Sequence, residues 1–396
     1  MSPQPKRPAR KAASAKRKAP ASAKRKAPAS VKRKAPASAR AGAVPPVLRA
    51  LLEARGPSGY EAAPAAAWRE AASSFAEVST DPVGTPLALV PRRKGARGAS
   101  KRLLVMGHID EIGLIVTHID DDGFLWFGEV GGWDAQVLVG QRVVLDTRGG
   151  PVKGVVGKKP IHLLKGDERS KVAEIKSMHI DIGARDGEEA RATVRVGDVA
   201  VIDAEPVELP NGRLGSRALD NRLGSYIALE AARLVAAAGG AAWELAAVAA
   251  VQEEITFGGS RTSAFSLEPD AAIVLDVTHA TDAPGIEVKA LGSHPLGSGA
   301  VIGRGSVLNP GVFELLHDTA EAEKIPFTVE ASGRHTGTDA DAVHLARGGI
   351  PTGLVSIPLR YMHSPVELVE LADVEACARL VAGFALRLKD GTSFPR

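Results

Sequence analysis

The sequence predicts an α/β fold in which a mixed-sheet α/β/α domain carries an inserted small all-β domain and follows a disordered basic tail. Three observations support this prediction. Apolar strand-like runs alternate with helical patterns in residues 43–111 and again in 206–396. Short β-rich pieces separated by turn residues fill 112–205. Residues 1–42 contain Lys and Arg but no Asp or Glu.

The tail is built on an octapeptide repeat, AKRKAPAS at 15–22 and 23–30 and VKRKAPAS at 31–38. Each copy carries three positive charges and little apolar bulk, so burial cannot offset its ordering entropy and we expect disorder. Without the tail, the formal net charge changes from +4 to −10. Two interpretations of the tail fit equally well: an arm that binds nucleic acid or another polyanion, and a solubilising extension without a specific partner.

The first α/β segment predicts two helices and a buried strand. VLRALLEAR at 47–55 is amphipathic and stops at Gly56, and a second helical pattern runs from Gly59 to about Phe75. Arg102–Met106 is an apolar run that Gly107 and His108 follow.

The remaining elements follow the same alternation. The inserted segment contains five β-rich pieces, at 114–119, 124–130, 136–147, 152–157 and 195–202. The second α/β segment predicts strands at 243–251, 271–275 and 353–357 and helices at 223–238, 312–324 and 374–388.

Composition excludes several classes of protein. The chain has 396 residues, more than the ~250–300 at which single cores stop growing. No run approaches the ~18 apolar residues of a membrane span, and no secretory signal is visible, so we expect a cytoplasmic protein without membrane contact. Cys377 is the only cysteine, which excludes an intrachain disulfide and a cysteine-rich zinc site. Any metal must therefore be bound by His and carboxylates.

Chemistry-bearing residues lie where apolar strands end or helices begin. His108 follows the first strand, and Asp110 is placed to accept a hydrogen bond from its ring. Asp220 precedes a helix, where Asp is also a common N-cap. Glu253 and Glu254 follow another strand, where an exposed acidic turn is the alternative.

Asp276 closes a further strand, and His363 lies between the last strand and the last helix, where a loop or core histidine is the commoner interpretation. Taken together, the set suits two divalent ions that share one carboxylate, with zinc, cobalt or manganese favoured over calcium. Such a pair activates water for the hydrolysis of an amide, and a neighbouring carboxylate can move the proton.

Five motifs in this order resemble the TET-type metallo-aminopeptidases, peptidase family forty-two, which include glutamyl, leucyl and lysyl aminopeptidases. The motifs are GHIDEIG at 107–113, ALDNR at 218–222, VQEE at 251–254, DV at 276–277 and SIPLRYMHSPVE at 356–367. The resemblance extends from about Val44 to the C-terminus. Residues 255–259 read ITFGG instead of the family's Val-Gly-Leu-Arg-Gly.

The resemblance implies a specific function for each residue. One metal ion, zinc or cobalt, would be bound by His108, Asp220 and Asp276, and a second by Asp220, Glu254 and His363. Glu253 would be the general base that activates a bridging water, and Asp110 would orient His108. The inserted domain at 112–205 would mediate dimer contacts, and dimers would assemble into a hollow tetrahedral dodecamer that admits peptides.

Two alternatives stay open at this point. A related two-metal deacylase or carboxypeptidase would use the same centre on another substrate. A particle that binds polyanions through residues 1–42 would make the hydrolase site secondary.

The tail hypothesis predicts salt-dependent binding. Full-length protein should be retained on immobilised DNA at low salt and released as salt rises, because Lys and Arg contacts release counterions from the phosphates. A chain that lacks residues 1–42 should not be retained. Equal retention of both forms at low salt would exclude a binding function for the tail.

Overall fold

This computed structural model describes residues 43–396. The predicted disorder of the basic tail, and its proposed polyanion contact, lie outside these residues.

The strands are β1 Glu77–Thr80, β2 Pro86–Val90, β3 Arg102–His108, β4 Gly113–Ile119, β5 Leu125–Val130, β6 Arg142–Thr147, β7 Gly150–Lys158, β8 Met178–Asp181, β9 Val199–Ile202, β10 Val207–Leu209, β11 Arg213–Ser216, β12 Glu244–Ala250, β13 Ala271–His279, β14 Ala300–Gly305, β15 Phe327–Ser332, β16 Thr352–Leu359 and β17 Glu367–Glu370.

The α-helices are α1 Pro46–Glu53, α2 Ala62–Ala72, α3 Ala135–Leu138, α4 Gly187–Thr193, α5 Leu219–Ala237, α6 Glu253–Thr256, α7 Gly258–Ser266, α8 Val288–Leu291, α9 Pro310–Glu323, α10 Ala340–Val343 and α11 Leu371–Arg387. Short 3₁₀ helices span Ile161–Leu163, Gly166–Ser170, Ile175–Ser177 and Pro210–Gly212.

An eight-stranded mixed sheet forms the centre of the fold, in the order β1-β2-β12-β3-β13-β16-β14-β15. The four neighbours β12, β3, β13 and β16 run parallel, whereas β2 and β14 pair antiparallel at their flanks. Parallel strands place their carboxyl ends at one edge. This edge of the sheet therefore gathers the residues that end those four strands.

Alternation along β3 explains why helices cover both faces of the sheet. Leu103 and Val105 belong to the larger core cluster, with α1, α5, α9 and α11, whereas Leu104 and Met106 pack on the opposite side with α7 and α10. Because successive side chains of a strand point to opposite faces, one apolar run supplies both cores. The predicted α/β/α arrangement is confirmed.

Strands β4 to β9 close a six-stranded barrel in the order β4-β5-β8-β7-β6-β9. Its interior is apolar and includes Leu114, Phe127, Leu145 and Ile180. A third sheet joins β10, β11 and β17. The described residues belong to one compact unit, so the domain boundaries at 43–111, 112–205 and 206–396 stay predictions.

Two details of the inserted segment differ from the sequence prediction. The apolar stretch 136–147 is not one β piece, because Asp134 accepts a hydrogen bond from the Gln136 amide and α3 begins there. In addition, β8 and α4 were not predicted from the sequence.

A close approach between two glycines joins the sheet to its longest helix. A Cβ atom on Gly107 would lie 2.4 Å from the backbone carbon of Gly224 in α5. Only hydrogen fits in this space, so β3 and α5 pack with their backbones nearly in contact. The contact places the start of α5 beside the end of β3. Among residues 43–396, no helix is long and apolar enough to cross a membrane.

Candidate metal centre

The carboxyl edge of the four parallel strands collects the predicted site residues. His108 is the last residue of β3 and pairs with Ala250 of β12, which Glu253 and Glu254 follow. Asp276 lies in the neighbouring strand β13, in register with Ser356 of β16. The sheet topology thus brings together residues that lie far apart in the sequence.

The remaining two residues come from beside the sheet. Asp220 lies in the first turn of α5, which the contact between Gly107 and Gly224 holds against β3. His363 follows β16 in a loop and adopts a left-handed conformation, with φ 59°. All five predicted metal-binding residues and Glu253 therefore converge on one place.

His108 faces three carboxylates. Its Nε2 atom lies 3.2 Å from Asp220 Oδ1, 3.7 Å from Glu253 Oε2 and 4.0 Å from Asp276 Oδ1. Its other ring nitrogen, Nδ1, lies 3.5 Å from Asp110 Oδ1 and 3.3 Å from the Asp110 carbonyl oxygen. Asp110 thus orients the ring through Nδ1, while Nε2 points into the acidic cluster.

His363 faces the same cluster from the opposite side. Its Nε2 atom lies 3.5 Å from Asp220 Oδ2 and 3.6 Å from Glu254 Oε1. Its Nδ1 atom lies 2.8 Å from the carbonyl oxygen of Gly132, which follows β5 of the barrel. A carbonyl oxygen can only accept, so Nδ1 carries a proton, and Nε2 can bind a cation in the neutral form of the ring.

Asp220 is the common neighbour of the two imidazoles. Oδ1 faces His108 and Oδ2 faces His363. Within residues 43–396, two sets of possible ligand atoms lie within 4.8 Å of one another: His108 with Asp220 and Glu254, and His108 with Glu253 and Asp276. Both sets differ from the predicted groups: the first has His108 instead of His363 beside Asp220 and Glu254, and the second has Glu253 instead of Asp220 beside His108 and Asp276.

The charges of this cluster are not balanced by the protein alone. Burial raises the pKa of Glu253 to about 10 and that of Glu254 to about 7, and it raises the pKa of Asp276 well above its usual value. Burial alone would lower the pKa of His108, but the nearby carboxylates outweigh it and raise the pKa. Buried carboxylates that repel one another need positive charge, and divalent cations supply it.

The two remaining site residues show opposite shifts. Burial would raise the pKa of Asp220, but its hydrogen bonds to His108 and His363 outweigh burial and hold the pKa below its usual range. The hydrogen bond to Asp220 raises the pKa of His363 to about 9. The donor set, two imidazoles and several carboxylates without sulfur, fits zinc or a similar divalent ion.

Asp110 does more than orient His108. Its Oδ1 atom accepts a hydrogen bond from the Glu253 amide at 3.1 Å, and its Oδ2 atom accepts from the Glu254 amide at 3.1 Å and from Ser58 Oγ at 2.6 Å. The predicted contact with His108 is present. The hydrogen bonds from the backbone amides of Glu253 and Glu254 to Asp110 were not predicted.

A buried ionic cluster anchors the segment that follows His108. Glu111 pairs with Arg217 and, at 2.8 Å, with Arg222, and Arg222 Nε donates to the Ile109 carbonyl oxygen at 2.9 Å. The GHIDEIG and ALDNR motifs contain Glu111 and Arg222, but their pairing is visible only in three dimensions. This cluster ties the end of β3 to the start of α5.

Sequence reasoning also missed three buried acids around the centre, Glu61, Asp339 and Glu367. Neither carboxylate oxygen of Asp339 has a hydrogen-bond partner among the described residues, and burial raises its pKa to about 6. Its charge further raises the pKa of Glu253 and Asp276. The sequence GTDAD at 337–341 was the only signal for it.

Comparison with known proteins agrees with this geometry. The family model described as M42 glutamyl aminopeptidase matches residues 88–380. The chain belongs to this family. A lysyl aminopeptidase of Pyrococcus furiosus is 35% identical over 316 residues, which cover 79% of this chain and 88% of the relative.

Solved structures of TET peptidases share the fold over most of their length. A TET aminopeptidase from a marine sediment archaeon of the Thaumarchaeota superposes with a TM-score of 0.80 at 36% identity, covering 87% of this chain and 96% of that one. The TET1 peptidase of Pyrococcus horikoshii, which can assemble into a tetrahedron or a large octahedral shell, gives 0.76 at 29% identity, with coverage of 86% and 99%. The predicted TET-type aminopeptidase is confirmed.

Divalent cations should stabilise the folded protein through this centre. Adding zinc to chelator-treated protein should raise its Tm by several degrees, because a ligand bound only by the native state adds about 2.7 kcal/mol at a hundredfold excess over its Kd. Asp220→Asn should abolish most of this rise, since it replaces the carboxylate that faces both histidines with a neutral amide. The substitution Asp122→Asn, at an exposed position away from the centre, is the control. An unchanged zinc response in Asp220→Asn would contradict the assignment.

Proposed function

We propose that the chain is a metal-dependent aminopeptidase that releases N-terminal residues from peptides with the help of two divalent ions. One observation carries the proposal: the two oxygens of Asp220 face two different histidines, each with a second carboxylate close by. A carboxylate placed in this way can serve two cations at once. Membership of the M42 family supports the reaction class.

In the proposed centre, each ion has one histidine, one carboxylate of its own and a share of Asp220. His108, Asp220 and Asp276 would hold one ion, and Asp220, Glu254 and His363 the other. When bound, two such ions lower the pKa of a water and polarise the substrate carbonyl. Zinc and cobalt suit these ligands, and supply in the cell decides between them.

Glu253 is the proposed general base and acid. Its carboxylate lies 3.7 Å from His108 Nε2, at the rim of the cluster, and its backbone is held by Asp110. Burial raises its pKa, and the positive charge of bound cations would lower it again, so that the ionised carboxylate could take a proton from the attacking water. The same group can then deliver that proton to the leaving amine.

A cleft beside the centre offers space for a substrate. It is lined by Trp133, Glu254, His363 and Pro365, and combines apolar walls with the predicted second ion site. A further cavity of about 180 Å³ includes Thr278, two residues after Asp276 on β13, and Glu330. A peptide in the cleft would lie next to the proposed reactive groups.

We also propose that the chain self-associates, as its relatives do. The assembly of the TET1 peptidase into a tetrahedron or octahedral shell supports this, and a dimer-based dodecamer is the expected form. The barrel is the candidate contact module. A cytoplasmic location, and the contact of residues 1–42 with nucleic acid, stay predictions.

Glu253→Gln should separate binding from turnover. The variant should bind zinc like the wild type but should hydrolyse aminoacyl-anilides about 10²–10⁴-fold more slowly, since general acid–base catalysis contributes about that much. Metal content and kcat, measured on the same preparation, check this result. Near-normal kcat in the variant would show that Glu253 is not the base.

The same assay distinguishes the alternative substrates. The aminopeptidase should act on free-amine peptides and not on N-acylated amino acids or on the C-termini of blocked peptides. Preference for a blocked amine would instead identify a deacylase.

A further inference from the structure

Two buried acids beside the centre, Glu61 and Glu367, lie outside the proposed ligand set. We propose that both are positioning residues that hold the backbone of segments bearing site residues, and that each acts on a different part of the centre. Glu367 serves the second ion, and Glu61 serves the general base. The proposal rests on the two-ion centre proposed above.

Glu367 joins two ligand-bearing segments through their backbones. Its side chain is almost completely buried, at 2% exposure. One oxygen, Oε2, accepts a hydrogen bond from the Asp220 amide at 3.0 Å, and the other, Oε1, accepts from the His363 amide at 2.9 Å. A single carboxylate thus sets the distance between the start of α5 and the loop after β16.

The His363 loop needs such a contact because its backbone is unfavourable. His363 and Tyr361 both adopt left-handed conformations, with φ of 59° and 62°. Non-glycine residues rarely occupy this region, and neighbours must hold them there. Glu367 binds the backbone of His363 while Gly132 binds its ring, so both determine where Nε2 points. Nε2 is the atom that faces Asp220 and Glu254.

Glu61 makes the corresponding contact on the opposite side. Its Oε1 atom accepts from the Gln252 amide at 3.0 Å and from the Gly59 amide at 2.6 Å. Gln252 is also left-handed, with φ 60°, and Glu253 is the next residue. Together with Asp110, Glu61 therefore fixes the turn that aims the Glu253 carboxylate. None of its hydrogen bonds involves a proposed ligand residue.

Among the described residues neither acid has a Lys or Arg partner, and these hydrogen bonds explain why both can be buried. Removing a carboxyl group from water is costly unless it is hydrogen-bonded, and the backbone amides supply the hydrogen bonds. Glutamine at 367 would keep one acceptor oxygen but would present an NH₂ group to one of the two amides that Glu367 joins. Both amides at Glu61 donate to the same oxygen, which a glutamine would retain, so methionine, of similar length and without a carboxyl oxygen, is the change that removes these bonds.

Glu367→Gln is expected to weaken the second ion specifically. Calorimetric titration of chelator-treated full-length protein with zinc should show one ion at wild-type affinity and a second bound about 10–100-fold more weakly, the usual cost of losing an outer contact. Excess zinc should restore turnover. Glu370→Gln is the matched control, since Glu370 lies on the same strand and its closest charge is Arg213, at 3.7 Å.

Glu61→Met, which removes the oxygen that accepts from both amides, is expected to leave both zinc affinities unchanged and to lower kcat about 10–100-fold, because a misplaced catalytic group loses rate steeply with distance. KM should change little, and excess zinc should not restore kcat. Glu70→Met on the exposed side of α2 is the control.

The two variants can overturn the proposal independently. Two ions bound at wild-type affinity in Glu367→Gln would contradict the assignment of Glu367, and loss of zinc in Glu61→Met would contradict that of Glu61. A lower Tm of the chelated protein, with binding and turnover unchanged, would make both residues merely structural. Glu367→Asp and Glu61→Asp, which keep the carboxyl group but shorten its reach, give the same separation should Glu367→Gln or Glu61→Met not fold. A wild type that neither binds zinc nor cleaves aminoacyl-anilides would instead refute the proposed function.

Discussion

The concentration of buried negative charge at one edge of the sheet is the constraint on which the site depends. Asp220, Glu253, Glu254 and Asp276 lie within a few ångströms of two imidazoles, and no Lys or Arg side chain forms an ion pair with any of these four acids among the described residues. In water each acid would ionise freely. Inside the protein, their mutual repulsion and loss of hydration favour protonation unless cations are present. Bound cations would therefore stabilise the ionised form of the cluster.

The surrounding residues hold the acids in place by fixing the backbone segments that carry them. Asp110 accepts from two successive amides of the Glu253 turn, and the cluster of Glu111, Arg217 and Arg222 ties the end of β3 to α5. The contact between Gly107 and Gly224 brings the same two elements together. The proposed ligand atoms, which come from distant parts of the sequence, are thus held in place by contacts from residues outside the proposed ligand set, as metal sites with ordered outer contacts require.

Much of this could be predicted from the sequence, for identifiable reasons. Buried parallel strands leave continuous apolar runs, so Arg102–Met106 and Ala271–Leu275 were visible, and polar residues at their ends indicated the site edge. Short edge strands such as β1 and β10 carry exposed, mixed sequences and leave no such pattern. The three-residue strand β10 in particular is defined only by its pairing with β11.

The same distinction holds within the site. His108, Asp220 and His363 could be proposed as ligands from the sequence because metal ligands belong to a narrow set of residue types, and these three lie near strand or helix ends. The Glu367 contact was not predictable, since it bonds to the backbone amides of Asp220 and His363, and any sequence presents amides there. Asp339 was missed because its burial depends on packing between short elements that the sequence does not define.

A crystal structure of zinc-soaked protein, with anomalous scattering recorded on both sides of the zinc absorption edge, tests the central claim most directly. The account predicts two anomalous peaks per subunit about 3.5–4 Å apart, one beside His108 and one beside His363, with Asp220 between them. Peaks elsewhere on the surface and none at this edge of the sheet would contradict it.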